Sequence, residues 1–159
     1  MRIRSLLVTL LLVPFGASCA CTATDPVAVA RDLYTGHHFF YTFESGDLAL
    51  LSPKLAGLLK QDWHCQEPGD QCAIGADPWI NAQDGDALEP IEYVLLTSDA
   101  TTATVEMKYR LGWAEIANEA TPQTTRLQLV RSDAAGCWLL DDLRVGTVSL
   151  QAILADYEY

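Results

Sequence analysis

The stretch Ala103-Thr104-Val105-Glu106-Met107-Lys108-Tyr109-Arg110-Leu111-Gly112-Trp113 alternates apolar with polar or small side chains along its whole length. A period of two leaves one face buried and the other wet, which identifies an antiparallel strand rather than a helix. Working outward, residues 91–97 predict a preceding strand, with Ser98-Asp99-Ala100-Thr101 as the hairpin turn. Downstream, residues 125–131 and 137–145 predict a second hairpin turned at 132–136, and residues 149–157 a short closing helix.

Upstream the period changes. Asp25-Pro26 reads as a helix N-cap followed by a first-turn proline. Within 27–43, Ala30, Leu33, Tyr34, His37, Phe40 and Tyr41 mark one helical stripe. Gly36 weakens that helix by about 1 kcal/mol relative to alanine. Ser45-Gly46-Asp47 is a turn signal, and Ser52-Pro53 repeats the cap. Leu55, Leu58, Leu59 and Trp63 then predict a second, short helix ending near Trp63. Residues 64–90 are rich in Gly, Pro, Asp and Cys and read as irregular. A segment that long inside a domain has to be pinned or functional. The fold class that follows is α+β: N-terminal helices packed on a curved four-stranded antiparallel sheet. Long alternating strands twist, so the sheet is expected to curl round the first helix as a half-open cone with a cavity at its wide end.

Residues 1–20 read as an export signal. Arg2 and Arg4 supply a basic start, Leu6 to Phe15 an apolar run broken at Thr9, and Gly16-Ala17-Ser18-Cys19-Ala20 small residues for a peptidase groove. The run is shorter than the roughly 20 residues a permanent span needs. The organisation that follows is a signal peptide (1–20), a tether (21–25) and one domain (26–159), located in the periplasm or cell envelope, where disulfides form. Removing 20 of the 159 residues leaves 139, one domain's length. The net charge is −11, and losing the leader's two arginines takes it to −13. Such a surface repels phosphate backbones and anionic headgroups, which argues against nucleic acid and confines membrane contact to a lipid anchor. A basic protein partner would be attracted.

The five cysteines are Cys19, Cys21, Cys65, Cys72 and Cys137. Cleavage before Cys19 would leave that thiol to carry lipid, and cleavage after Ala20 would remove it. Both routes leave four others, enough for two disulfides. The segment resembles a bacterial lipoprotein signal with Cys19 as the lipidated residue, although Gly16 stands where such signals usually place leucine. Cys65 and Cys72 read as a disulfide across the long loop, stabilising by about 2.5 kcal/mol on the chain-entropy model. Their spacing is too wide for a zinc loop, even with His64 beside them. Cys137 either pairs with Cys21 or packs as a small buried thiol.

Asp77, Asn81, Gln83 and Asp84 gather four polar side chains in one loop. They are candidates to bind a polar ligand, or to fix the loop by hydrogen-bonding its backbone. No calcium-loop spacing is present. Asp141 and Asp142 are expected on opposite sheet faces, Asp141 with Leu139 and Leu143, Asp142 with Trp138 and Leu140. One of them would reach the cavity, where desolvation raises a carboxyl pKa and suits it to proton transfer. Tyr34, Tyr41 or Tyr109 could donate to a developing oxyanion. His37 and His38 point about 100° apart on a helix, so one is expected half-buried and one solvated, with no shared metal. No nucleophile elbow, P-loop, dinucleotide fingerprint or zincin helix occurs. The sequence therefore calls for no cofactor, no metal and no catalytic set.

Trp138-Leu139-Leu140-Asp141-Asp142-Leu143 resembles the last strand of the nuclear transport factor 2-like superfamily, as does the order of two helices, a loop and a meander. Leu51-Ser52-Pro53-Lys54-Leu55 and Asp77-Pro78-Trp79-Ile80-Asn81-Ala82-Gln83-Asp84 add a likeness to a domain-of-unknown-function family of small exported bacterial proteins, many of them lipoproteins. The resemblance runs from about Pro26 to Leu154. It implies the cone fold and an envelope location, and no particular reaction. The expected function is non-catalytic binding of a small ligand or protein partner through the cavity, by way of Asp77, Asn81, Gln83, Asp142 and Tyr34. The alternatives are an acid–base isomerase or dehydratase, and an acidic inhibitor or immunity protein against a basic cell-wall hydrolase.

Overall fold

The computed structural model describes residues 24–42, 47–66, 72–132 and 136–159. The leader with Cys19, Cys21, the tether up to residue 23 and part of the 132–136 turn lie outside them.

Helix α1 (Pro26–Gly36) starts where the Asp25 carboxylate accepts the Ala28 amide at 3.0 Å. It buries Val29, Ala30 and Leu33. It stops at Gly36, seven residues short of the expected end, because the chain turns at 37–42 instead. Phe40 is fully buried, as its place on the stripe requires, but it reaches the core from this turn rather than from a helix. Helix α2 (Pro53–Cys65) is capped by Ser52, whose hydroxyl accepts the Leu55 amide at 3.1 Å. It runs two residues beyond Trp63 and buries Leu55, Leu59 and Asp62.

The sheet is antiparallel, open and five-stranded, in the order β1 (Asp86–Ser98), β2 (Thr102–Gly112), β3 (Thr121–Arg131), β4 (Trp138–Val145), β5 (Val148–Ser149). The expected count of four misses β5, a two-residue strand after the Gly146 turn, where φ is +59°. Ser149 ends that strand and also caps helix α3 (Leu150–Asp156), accepting the Ala152 amide. Strand β1 begins at Asp86 rather than 91. Pro90 hid it, because proline removes a ladder donor; here it sits on an edge strand, at a register shift between Leu88 and Glu92. Strand β2 behaves as its alternation demands, burying Ala103, Val105, Met107 and Tyr109. Strand β3 begins at Thr121 rather than 125. Gly112 is obligatory at the end of β2, since a Cβ there would stand 2.6 Å from that of Ala120.

One expectation is overturned on β4. The register pairs Gln128 with Asp142 but Leu129 with Leu140, so Asp141 is an extra residue, a β-bulge. The bulge resets the alternation: Leu140 and Leu143 both face the core, and Asp142 shares its face with Arg144 rather than with Trp138 and Leu140.

The core lies between one sheet face and the helices. Helix α1 packs on β1 and β2, while α2 and α3 pack on each other and on β4. Its fully buried members include Trp79, Phe40, Leu55, Leu59, Met107, Leu127, Leu129, Leu140, Leu143 and Leu154. The Leu51 segment joins the sheet through Ser52, whose amide donates to the Leu140 carbonyl at 2.8 Å.

Candidate functional site

Most of the long loop is built from side-chain hydrogen bonds. The Cys65–Cys72 disulfide closes its first part, at a Cα separation of 6.1 Å. Asp62, fully buried at the end of α2, then takes over. Its carboxylate accepts the Ala73 amide at 2.8 Å, the Gln66 side-chain amide at 2.7 Å and the Tyr159 hydroxyl at 3.4 Å. Residues 73–76 leave this anchor as a strap. The strap ends in a second anchor, Asp77. One carboxylate oxygen accepts the Trp79 amide at 2.8 Å, and the other meets His38 Nε2 at 3.0 Å. The Asp77 carbonyl accepts the Asn81 amide at 2.8 Å, and its amide donates to the Ala82 carbonyl at 3.1 Å. This tight turn puts Asn81 at φ +50°, a conformation asparagine tolerates better than most residues. Gln83 reaches back to donate to the Gly75 carbonyl at 3.2 Å.

Trp79 is the plug beneath. Its indole donates to the His38 carbonyl at 2.7 Å. Its ring stacks on His38 and meets Tyr34 edge-on, with centroids 5.2 Å apart. Its carbonyl accepts from the hydroxyls of Tyr109 and Thr125 on the sheet. Both histidines turn out half-buried, against the expectation of one solvated: His37 Nδ1 meets Asp47 at 3.0 Å, as His38 meets Asp77.

Two hollows border the strap. The first, about 170 Å³, is lined by apolar side chains apart from Asn81. Ile74, Pro78 and Asn81 come from the loop, and Leu143, Val145, Val148, Leu150 and Ile153 from β4, β5 and α3. The second is polar, lined by Tyr41, Asp77 and Gln83. Ile74, Gly75 and Ala76 border both.

Burial, then the Asp77 charge, pushes the Tyr41 phenol up to about 12. Tyr34 is raised by burial first, then by Asp77, Asp86 and Glu89. Tyr109 also rises to about 12, mainly through burial.

Asp77 and Gln83 line the polar hollow and Asn81 the apolar one, while Tyr34 lines neither and instead meets His38 and Trp79 edge-on. Asp142 also lines neither hollow. It is 3% exposed, and accepts Arg144 Nε at 2.9 Å, the Ser149 hydroxyl at 2.8 Å and the Gln151 amide at 2.9 Å. Those three donors make it the brace that sets α3 against β4. Asp84 is exposed and lines neither hollow. Cys137 is disulfide-bonded, and the pairing expected for it, with Cys21, falls on a residue outside those described. The sequence missed the apolar wall of β4, β5 and α3. The bulge at Asp141 hides it, because strict alternation assigns Leu143 and Leu140 to opposite faces. No local signal pairs His38 with Asp77, because α1 ends at Gly36 and the contact spans 39 positions.

Among the described residues no three His, Cys, Asp or Glu side chains gather as a metal site. No described helix is long and apolar enough to cross a membrane. No family model, curated protein or solved structure matches the chain.

Proposed function

We propose that this is an exported envelope protein, a member of the nuclear transport factor 2-like cone superfamily, whose task is to bind a small ligand without chemistry. The apolar hollow between the strap and the β4–β5–α3 wall carries the reading. Its volume of about 170 Å³ is close to that of engineered cavities of about 150 Å³ that hold benzene. It is rimmed by few polar groups, as small-molecule sites usually are. Two independent anchors, Asp62 with the disulfide and Asp77, hold the strap in place before any ligand arrives. Preorganisation of that kind reduces the ordering penalty of binding. The export leader, the disulfide and the acidic surface support the envelope location, with Cys19 as the residue a lipid anchor would use. A basic protein remains the partner that the charge of −11 would favour.

The His38–Asp77 contact at 3.0 Å supports a second reading, acid–base catalysis with His38 in place of the expected aspartate. Under it, His38→Gln abolishes turnover of a substrate that the unaltered domain converts. Under the binding reading, no such turnover exists to lose.

Titration of the domain with hexan-1-ol, followed by calorimetry or thermal shift, tests the binding reading. Saturable binding that is lost in Ile153→Trp, which fills the hollow from an exposed helix position, is expected. Absent or non-saturable binding, or binding indifferent to both Ile153→Trp and Ala76→Leu, would refute it.

A further inference from the structure

The two hollows differ in chemistry yet adjoin along the same three residues, Ile74, Gly75 and Ala76. Two of those three carry almost no side chain. A Cβ added at Gly75 would meet nothing within 4 Å, so the space beside it is open. These shared residues are where a ligand seated in the apolar hollow would pass to the polar one.

What it would meet beyond is a set of acceptors. The Asp77 carboxylate spends one hydrogen bond per oxygen, on Trp79 and His38, and a carboxylate offers about four lone-pair positions. Gln83 donates one of its two amide hydrogens to the Gly75 carbonyl, and its amide oxygen is an acceptor. Tyr41 contributes a neutral phenol and an aromatic face. Within the polar hollow no lysine or arginine is present among the lining residues. An ammonium group brings three donors and no acceptor, and so complements this set; a carboxylate or phosphate does not.

Resting on the ligand-binding reading, we infer that the site takes a small cationic amphiphile: a primary amine on an apolar group of about six carbons. The apolar part occupies the hollow of Leu143, Val145, Val148 and Ile153, and the ammonium crosses Gly75 to Asp77 and Gln83.

Three probes of equal length separate the possibilities: hexylamine, hexan-1-ol and hexanoate, titrated calorimetrically into the domain at pH 8 and low salt. Hexylamine is expected to bind at least tenfold tighter than hexan-1-ol, and hexanoate more weakly than either. In Asp77→Asn, which keeps the oxygen that accepts the Trp79 amide, the amine's advantage over the alcohol is expected to fall below threefold. In Gly75→Leu, which adds a bulky side chain at an exposed residue shared by both hollows, it is expected to fall likewise. Equal binding of amine and alcohol overturns the cationic assignment and leaves the apolar cavity standing. An advantage that survives both substitutions places the ammonium elsewhere and also overturns it. Binding of none of the three removes the cavity reading itself.

Discussion

The central strands and the strap solve the same problem by opposite means. Strands β2 and β3 hold themselves by a repeated pattern: alternate side chains go into the core, and backbone hydrogen bonds follow from the ladder. Each buried leucine there is one of many similar contributors. The strap has no pattern. It and the turn that follows, residues 73–85 together, are held by a few acceptors, Asp62 and Asp77 above all, and by one disulfide. The difference teaches where tolerance lies. The sheet should survive loss of the strap's fastenings, whereas the hollows that the strap borders should not.

The largest effect expected is on the sheet side. Leu127→Ala empties a fully buried position facing Leu143. It should destabilise by about 2–5 kcal/mol in chemical denaturation, with hollow and sheet lost in one transition. Replacing Cys65 and Cys72 together by serine should cost about 2.5 kcal/mol or less. The more telling result is its distribution. Hydrogen exchange should quicken in residues 72–83 and stay slow in β2 and β3; uniform quickening would erase the contrast between the two regions. Asp142→Ala leaves the Gln151 amide and the Ser149 hydroxyl without their acceptor, a loss of about 1–3 kcal/mol. It should loosen α3 and hence the apolar wall, with no proton-transfer activity to lose.

The alkaline limb sharpens the comparison further, because its groups straddle both regions. Tyr109 on the sheet and Tyr41 at the polar hollow are each raised to about 12 from 10.0. A folded-state pKa raised above the unfolded value gives stability that is complete below pH 10 and is lost as pH climbs toward 12. Phenolate absorbance near 295 nm should therefore rise later in the folded domain than in the denatured chain, and the melting temperature should fall between pH 10 and 12. The smallest effect belongs to Asp99 in the β1–β2 turn. Amides and hydroxyls of Thr101 and Thr102 donate to its carboxylate and hold it near 2. Its contribution is present above the ordinary carboxyl value of 3.8 and lost as pH falls toward 2. Being exposed, Asp99→Asn should lower the melting temperature by a few degrees at most.

Legibility in the sequence divides along the same line. Periodicity revealed β2, most of β3 and both cap-initiated helices, because burial on one face imposes a period that a reader can count. It failed wherever a single residue broke the count: Pro90 in β1, the bulge at Asp141, the end of α1 at Gly36. Asp77, Asn81 and Gln83 stand out in the sequence because polar residues crowded into one loop need partners, and Asp77 and Gln83 find them in the loop's own backbone. The apolar wall was not. Val145, Val148 and Ile153 come from three elements, and nothing local in sequence joins them. That His38 faces Asp77 across 39 positions is likewise a fact of the tertiary fold.

The account rests on the strap-bordered hollow being a place where a molecule sits. Amide and methyl chemical-shift mapping of the labelled domain with hexan-1-ol tests this most directly. Saturable shifts confined to Ile74, Ala76, Leu143, Val145, Val148 and Ile153 are predicted. Shifts scattered over the surface, or centred on the exposed Leu95 and Leu96 of β1, would contradict it.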